Sequence, residues 1–339
     1  LNHPDHSHTS ASTSDQTSAR ATKRVTVLYN PFAGKGAAQQ IALAATRFVT
    51  EQRWTLIDCA ASHYAGHIES SLAASAAQSS DLIILIGGDG TLRELVNGLI
   101  QTTFQPEISF IPIGNANVVA RELSIPLIPI QALQMLTRSK TVAVDIGLVT
   151  HKNADQEVHQ QIFLAMLEIG IGARIVHLVD RLRQGKMRTL YRMWGDLVYA
   201  LAGLLAFTGN RHDTVQGTTY TDNNQTTVTF RTGHLIVANM RTYAKGWSFT
   251  PDADCRDGLL DIAYALKNTR LAELAGFMAA ANKRKQSLTR RHYSQALKIT
   301  LQGSSDLFMQ IDGDPVIFEG TAEVSLLPDA FIIHTPAAP

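Results

Sequence analysis

The 339-residue sequence contains only two cysteines, Cys59 and Cys255. Two thiols so far apart form no disulfide framework and lack metal-ligand spacing, which points to a reducing compartment, the cytoplasm. A surplus of charge is also missing: 30 basic against 29 acidic side chains leave a formal net charge of +1. No nucleic-acid partner is therefore expected, because a polyanion would need a positive surplus or a local basic patch. Long apolar runs are absent as well. The longest nearly unbroken one, LVYALAGLLAF (197–207), falls well short of the roughly 20 residues that cross a bilayer and reads as a buried helix. No self-similarity recurs at a fixed period, which excludes a solenoid. With 45% hydrophobic and 17% charged residues the chain can bury a large core, and its length suits two domains. Residues 1–22 are the exception. They are polar, rich in Ser and Thr and without an apolar segment, so a disordered tail and no secretory signal are expected there. His3, His6 and His8 belong to that solvated tail.

From Arg24 onward, short apolar runs alternate with helical stretches. VTVLY (25–29), TLIDC (55–59), DLIILI (81–86) and ISFIPI (108–113) read as strands. Helices are predicted over an alanine-rich segment ending at Val49, over 66–78 and over 91–100, where Leu92, Leu95, Val96 and Leu99 recur at three- and four-residue intervals. This alternation implies βαβ units and a parallel sheet in a domain over 23–140. Beyond it, TVAVDIGLV (141–149), QIFLAML (161–167), HLIVANM (234–240), LLDIAYAL (259–266), ALKITL (296–301), LFMQI (307–311) and AEVSLL (322–327) are strand-like, with helical stretches near 171–208 and 269–283. An antiparallel, β-rich domain over 141–336 is expected, with FIIHT (331–335) placed to return to the first domain. The active site is expected in the cleft between the two.

Chemistry concentrates in loops. Gly87-Gly88-Asp89-Gly90-Thr91 follows an apolar strand and opens a helix. Glycines let backbone approach a ligand closely, and the amides at a helix start favour phosphate. Asp89 complicates this, since a carboxylate beside phosphate is repulsive unless Mg²⁺ bridges them or the acid takes a proton. A second glycine loop, NPFAGKG (30–36), follows the first strand without P-loop spacing, and a third, GNAN (114–117), follows ISFIPI. Three such loops at the carboxyl edge of one sheet make a nucleotide the expected ligand. In isolation, IDGDP (311–315) is only a β-turn and DCRDGLLD (254–261) only a hairpin turn.

Taken in order, NPFAGKG, GGDGTLRELVNGL (87–99), PIGNANVVARELSIP (112–126), TPDADCRDGLLDI (250–262) and IDGDP resemble the diacylglycerol kinase catalytic-domain superfamily. The likeness is to its soluble bacterial lipid kinases, related to sphingosine and ceramide kinases, and it spans residues 24–336. GGDGT alone is shared with phosphofructokinases and NAD kinases; the ordered set is specific. The resemblance implies an α/β fold with a Rossmann-like, phosphofructokinase/NAD kinase-like ATP-binding domain, followed by an antiparallel β-sandwich domain. It also implies transfer of the ATP γ-phosphate, with Mg²⁺, to a lipid hydroxyl of diacylglycerol or sphingoid type. By position, ATP contacts fall on Asn30, Ser62, Gly88, Asp89, Gly90, Thr91, Glu94 and Asn115. A structural Mg²⁺ falls on Asp257 with the carbonyls of Asp254 and Leu259, and the proton acceptor on Asp314. The family's G-T-x-N-D loop is GNANV here, so Asn115 replaces Thr and Val118 replaces Asp. The sphingosine-kinase branch lacks that Asp too.

Phosphoryl transfer asks a protein for positioning, charge neutralisation and an acceptor for the hydroxyl proton. Asp89, Asp312 and Asp314 are the candidate acids, with Asp89 either holding Mg²⁺ through water or taking the proton, and Asp314 the other candidate base. Arg93 and Asn97 are left as surface residues. Lipid would be reached by peripheral contact with a membrane, through Arg181, Arg183, Lys186, Arg188 and Arg192 and through Lys283, Arg284, Lys285, Arg290 and Arg291. A nucleotide- or lipid-binding regulator without turnover and a soluble-substrate kinase of the NAD kinase type are the alternatives. A homodimer is left open.

Overall fold

The computed structural model describes residues 22–152, 157–184, 203, 214–221, 226–243, 248–266, 291–303, 307–318 and 320–337. Apolar runs in the first half form four parallel strands: β1 (Arg24–Tyr29), β2 (Thr55–Ala61), β3 (Leu82–Gly87) and β4 (Glu107–Pro112), in the order β2-β1-β3-β4. Every residue of β3 is buried, as expected of a central strand covered on both faces. The covering helices are α1 (Ala38–Glu51), α2 (Ala73–Ser79), α3 (Asp89–Leu99), α4 (Val118–Glu122) and α5 (Pro129–Met135). α3 buries Leu92, Leu95, Val96 and Leu99, the stripe its spacing predicts. The register pairs Tyr29 with Ala61 and Ile86, and Gly87 with Pro112. All four strands therefore end on one edge, and the loops that follow them leave from it.

The second half is antiparallel except where its last strand joins the first sheet in parallel. The first sheet continues through β16 (Thr321–Pro336), whose Ile332 and Ile333 pair with Glu107 and Ile108 of β4, and then through β13 (Lys298–Gly303), β8 (Val215–Tyr220) and β9 (Thr226–Thr232). β5 (Ser139–Lys152) pairs β16, and β6 (Val158–Phe163) pairs β5. A second sheet runs β12-β11-β10-β7-β14-β15: Arg291–Ala296, Leu260–Ala265, Leu235–Ala238, Met166–Ile169, Leu307–Ile311 and Asp314–Phe318. Val149, Phe163, Ile299, Leu301 and Val324 from one sheet share a buried core with Leu167, Val237, Ile262 and Met309 from the other. The second domain is therefore a β-sandwich. α6 (Ile171–Gln184) packs against β7, β14 and β15.

Two segments differ from their sequence reading. QIFLAML is not one strand; it breaks into β6 and β7 at Leu164 and Ala165, whose amides face a buried carboxylate described below. AEVSLL and FIIHT are a single strand, β16, with a register shift between Leu327 and Phe331 where Pro328 cannot donate to the ladder. The N-terminal residues 1–21, the apolar run 197–207 apart from Gly203, the predicted helix 269–283 and the basic residues Lys186, Arg188, Arg192, Lys283, Arg284, Lys285 and Arg290 lie outside the described residues. No helix among the described residues is long and apolar enough to cross a membrane.

Candidate active site

The four loops at the sheet edge touch one another. After β1, the Asn30 N–H donates to the Ile86 carbonyl (3.0 Å), and its Oδ1 accepts the Phe32 N–H (2.9 Å). That leaves its Nδ2 donating to Thr91 Oγ1 at 3.3 Å. The same hydroxyl oxygen accepts the Gly88 N–H at 3.4 Å. After β2, the buried Ser62 donates its N–H to the Tyr29 carbonyl (2.9 Å). After β4, Gly114 meets Gly88. A Cβ on Gly114 would lie 2.7 Å from Gly88 Cα and 2.8 Å from Asn117 Oδ1, closer than real Cβ atoms come. Only glycine lets these two loops meet. Gly90 and Asn115 stand exposed beside the junction, and Glu94 is half-buried on α3.

Asn117 adopts a left-handed backbone (φ 49°) and donates its Nδ2 to the Gly114 carbonyl at 2.9 Å. Its Oδ1 is buried with no hydrogen-bond partner. An orphaned acceptor at the junction of phosphate-type loops fits a site completed by a donor or cation. Asp89 heads α3 and turns its carboxylate to the start of α4, where Oδ1 accepts the Val119 N–H at 3.1 Å. Burial pushes its carboxyl above the ordinary carboxylate range, against the opposing pull of the amides of 117–119. Val118, the residue between Asn117 and Val119 in this loop, also turns its amide to Asp89.

The second domain meets this rim through the turn between β14 and β15, closed by Asp312 (φ 49°) and Gly313 (φ 89°). Asp312 is turned inward: Oδ2 accepts the Leu164 N–H (2.7 Å), and Oδ1 accepts those of Ala165 (2.9 Å) and Met166 (3.0 Å). Burial raises its carboxyl, opposed by the charge of Arg93 and by the three amides. Asp314, two residues on, is exposed and ion-paired with Arg93. Arg93 Nη1 also donates to the Ile311 carbonyl at 3.1 Å. Arg93 is therefore an interdomain contact and not the surface residue its sequence position suggests. No local pattern announces this contact, since both partners lie more than 200 residues away. Asn97, also expected at the surface, donates to Glu69 Oε1 at 2.6 Å within the first domain.

Asp254, Asp257 and Leu259 share the turn before β11, closed by the Asp257 N–H on the Asp254 carbonyl (3.3 Å). Asp257 Oδ1 accepts the Leu259 N–H at 3.0 Å, and Oδ2 accepts Gln295 Nε2 at 3.3 Å. The Asp254 carboxylate is held by Arg256 through two 2.7 Å bonds. The Asp261 carboxyl is pushed up to about 6 by burial, with the like charges of Asp257 and Asp252 adding to it. With Asp254 neutralised by Arg256, the Asp257 carboxylate and the backbone carbonyls beside it form an all-oxygen set of the kind that fits Mg²⁺. Among the described residues no three His, Cys, Asp or Glu side chains gather as a metal cluster, so a cation here would draw on backbone carbonyls.

Two linking residues were invisible in the sequence. Buried Asp145 on β5 accepts the Gly258 N–H (2.9 Å) and the Asp329 N–H (2.8 Å), joining the 254–258 turn to β16. Glu122, ending α4, accepts Arg241 Nε (2.7 Å), the Thr242 N–H (3.0 Å) and the Thr242 hydroxyl (2.6 Å). Of the basic residues expected at a membrane, Arg291 points inward, donating to His234 Nδ1 at 2.9 Å beneath Phe249.

Comparison with known proteins places this geometry. Residues 24–149 match the diacylglycerol kinase catalytic domain, and residues 165–335 match the YegS C-terminal NAD kinase beta sandwich-like domain. The chain is 28% identical over 271 residues to a Pseudomonas aeruginosa protein named probable lipid kinase YegS-like, covering 80% of each. It is 27% identical over 301 residues to the Bacillus subtilis diacylglycerol kinase, covering 86% of this chain and 90% of that one. A crystal structure of a diacylglycerol kinase from Bacillus anthracis superposes with a TM-score of 0.67 at 21% identity over 94% of this chain and 98% of that one. Yeast NADH kinase does so with a TM-score of 0.52 at 11% identity, over 94% and 84%. These two likenesses carry the fold, and the two matched domains together carry the assignment: the chain belongs to the diacylglycerol kinase catalytic-domain family, in the form that ends in a YegS-type sandwich domain.

Proposed function

We propose that the protein is an ATP- and Mg²⁺-dependent lipid kinase that transfers the γ-phosphoryl group to a lipid hydroxyl, of diacylglycerol or sphingoid type. The observation that carries this reading is the meeting of Gly88 with Gly114 at the edge where all four strands end, with Asp89 and Asp314 both reached from α3. Asn30, Ser62, Gly88, Gly90, Thr91, Glu94 and Asn115 line the nucleotide side in this proposal. The amides and glycine backbone there favour phosphate without a fixed positive side chain. Bound Mg²⁺ would neutralise charge on the transferring group. Asp89 faces the phosphates from a poorly solvated position, and Asp314 stands on the acceptor side to take the hydroxyl proton. Asp312, whose carboxylate already serves three amides, holds the turn that presents Asp314. Asp257, with the carbonyls of Asp254 and Leu259, would hold a structural Mg²⁺ away from the chemistry. The lipid would arrive from a membrane surface contacted peripherally.

The test is incubation with γ-labelled ATP, Mg²⁺ and mixed micelles containing diacylglycerol, sphingosine or ceramide, with NAD as a soluble acceptor. Label in one lipid is expected, reduced at least 100-fold by Asp89→Asn, the scale of a lost acid–base or charge-orienting group. Label in NAD alone would replace the lipid kinase with a soluble-substrate kinase. Tight ATP binding with no labelled acceptor would make the protein a regulator. The fall of kcat/KM on the acid side should lie above the ordinary carboxylate range, because burial raises Asp89 and its ionised form is the one required.

A further inference from the structure

Two acids assigned to the chemistry sit on different domains, and the helix that carries one of them reaches the other. Asp89 begins α3 in the first domain; Asp314 stands on the β14–β15 turn of the second. Arg93 is four residues from Asp89 on α3, hence one turn along the same helix face. From there its guanidinium reaches Asp314 and the carbonyl of Ile311, on both sides of the inward-facing Asp312. Its side chain is only 22% exposed, against 63% for Asp314. A mostly buried cation fixed by a carbonyl and a carboxylate is a far better strut than an exposed ion pair, because little solvent competes for it.

We infer that Arg93 is a positioning residue: it fixes where the second domain's acid stands relative to the nucleotide loop, and so sets the rate of phosphoryl transfer. The inference rests on the assignment of Asp314 to the acceptor side. The guanidinium fork matters as much as the charge, since one end must hold the Ile311 carbonyl while the other holds the Asp314 carboxylate. Lysine offers a compact ammonium whose three donors radiate from one atom, and so it does not reproduce the spaced, planar fork. Because a positional error of about 1 Å can cost 100-fold in rate, loss of the fork should appear in turnover and not in ATP binding.

The experiment compares wild type with Arg93→Lys, Arg93→Gln, Asp314→Asn and the double variant Arg93→Gln/Asp314→Asn, measuring kcat, KM for ATP and thermal unfolding. Arg93→Lys should fold normally, keep KM for ATP within twofold and lose about tenfold in kcat; Arg93→Gln should lose about 100-fold. The double variant should be no slower than Asp314→Asn alone, because Arg93 acts through Asp314. Normal kcat in Arg93→Lys and Arg93→Gln, or losses that multiply with that of Asp314→Asn, would overturn the inference. Should Arg93→Gln fail to give a cooperative melt, the Arg93→Lys result decides alone. Full activity in Asp314→Asn would instead remove Asp314 from the reaction. In that case the fault lies with the assignment of the acid and not with the strut.

Discussion

The glycine rim of the first domain and the 311–315 turn of the second meet across α3, yet they hold their shapes by different means. At the rim, backbone rests on backbone: Gly88 against Gly114, with Asn30 and Thr91 bonding across neighbouring loops. In the turn, one side chain organises backbone from elsewhere, as the Asp312 carboxylate gathers the amides of Leu164, Ala165 and Met166. A backbone-built site depends on what is left off the chain, and a side-chain-built site on what is present. Substitutions should therefore damage the two regions in different currencies, nucleotide binding at the rim and folding at the turn.

The largest effect should come at the turn. Asp312→Ala strips three amide donors of their acceptor, and each buried donor left unsatisfied costs about 1–3 kcal/mol. Relief of a buried charge offsets part of this, so a net loss of about 3 kcal/mol is expected in urea unfolding. A loss below about 1 kcal/mol would mean the 164–166 backbone holds itself, and the contrast between the two regions would fail.

Gly114→Ala sharpens the other side of the comparison. A methyl group 2.7 Å from Gly88 Cα forces the loops apart. Overpacking of this kind costs about 1–3 kcal/mol, less than the loss at Asp312. Affinity for ATP should nonetheless fall at least tenfold by calorimetry, while Asp312→Ala, where folded, should leave it near wild type. Unchanged ATP affinity in Gly114→Ala would separate the Gly88–Gly114 contact from the nucleotide site.

The same contrast governs what could be read in the sequence. The parallel sheet and its loops were legible because strand period, glycine spacing and helix stripe are local properties, as in DLIILI followed by GGDGT. The family and the two-domain fold class followed from those loops in order. Arg93, Asp145 and Glu122 were not legible, because each acts on a partner more than 100 residues away. The break inside QIFLAML was hidden for the same reason: apolar continuity favours one strand, and the carboxylate that splits it lies at Asp312. β8, β9 and β12 give only a weak signal because threonines, glutamines and charged residues dominate them and few apolar side chains mark a buried face.

The smallest effect concerns the like charges gathered around the 254–261 turn. Asp261 lies close to Asp257 and Asp252, and its carboxyl is raised to about 6 in the folded protein, against about 4 in an unfolded chain. Below about pH 4 the proton is bound in both states, so nothing is gained or lost. Between 4 and 6 the folded protein holds the proton more tightly, and stability falls as pH rises; above 6 the full cost of the ionised group is present. Two pH units correspond to about 3 kcal/mol, and partial solvent access reduces this to roughly 1–2 kcal/mol. Asp261→Asn removes the titrating group while keeping an oxygen for Gln295, now 3.4 Å away. The variant should be more stable than wild type by that amount at pH 7.5 and equal to it near pH 4. Adding Mg²⁺ at pH 7.5 should narrow the gap, because a cation on Asp257 screens the repulsion that Asp261 feels. A gap independent of pH would show that Asp261 is held by packing, and a gap indifferent to Mg²⁺ would take the cation away from this turn.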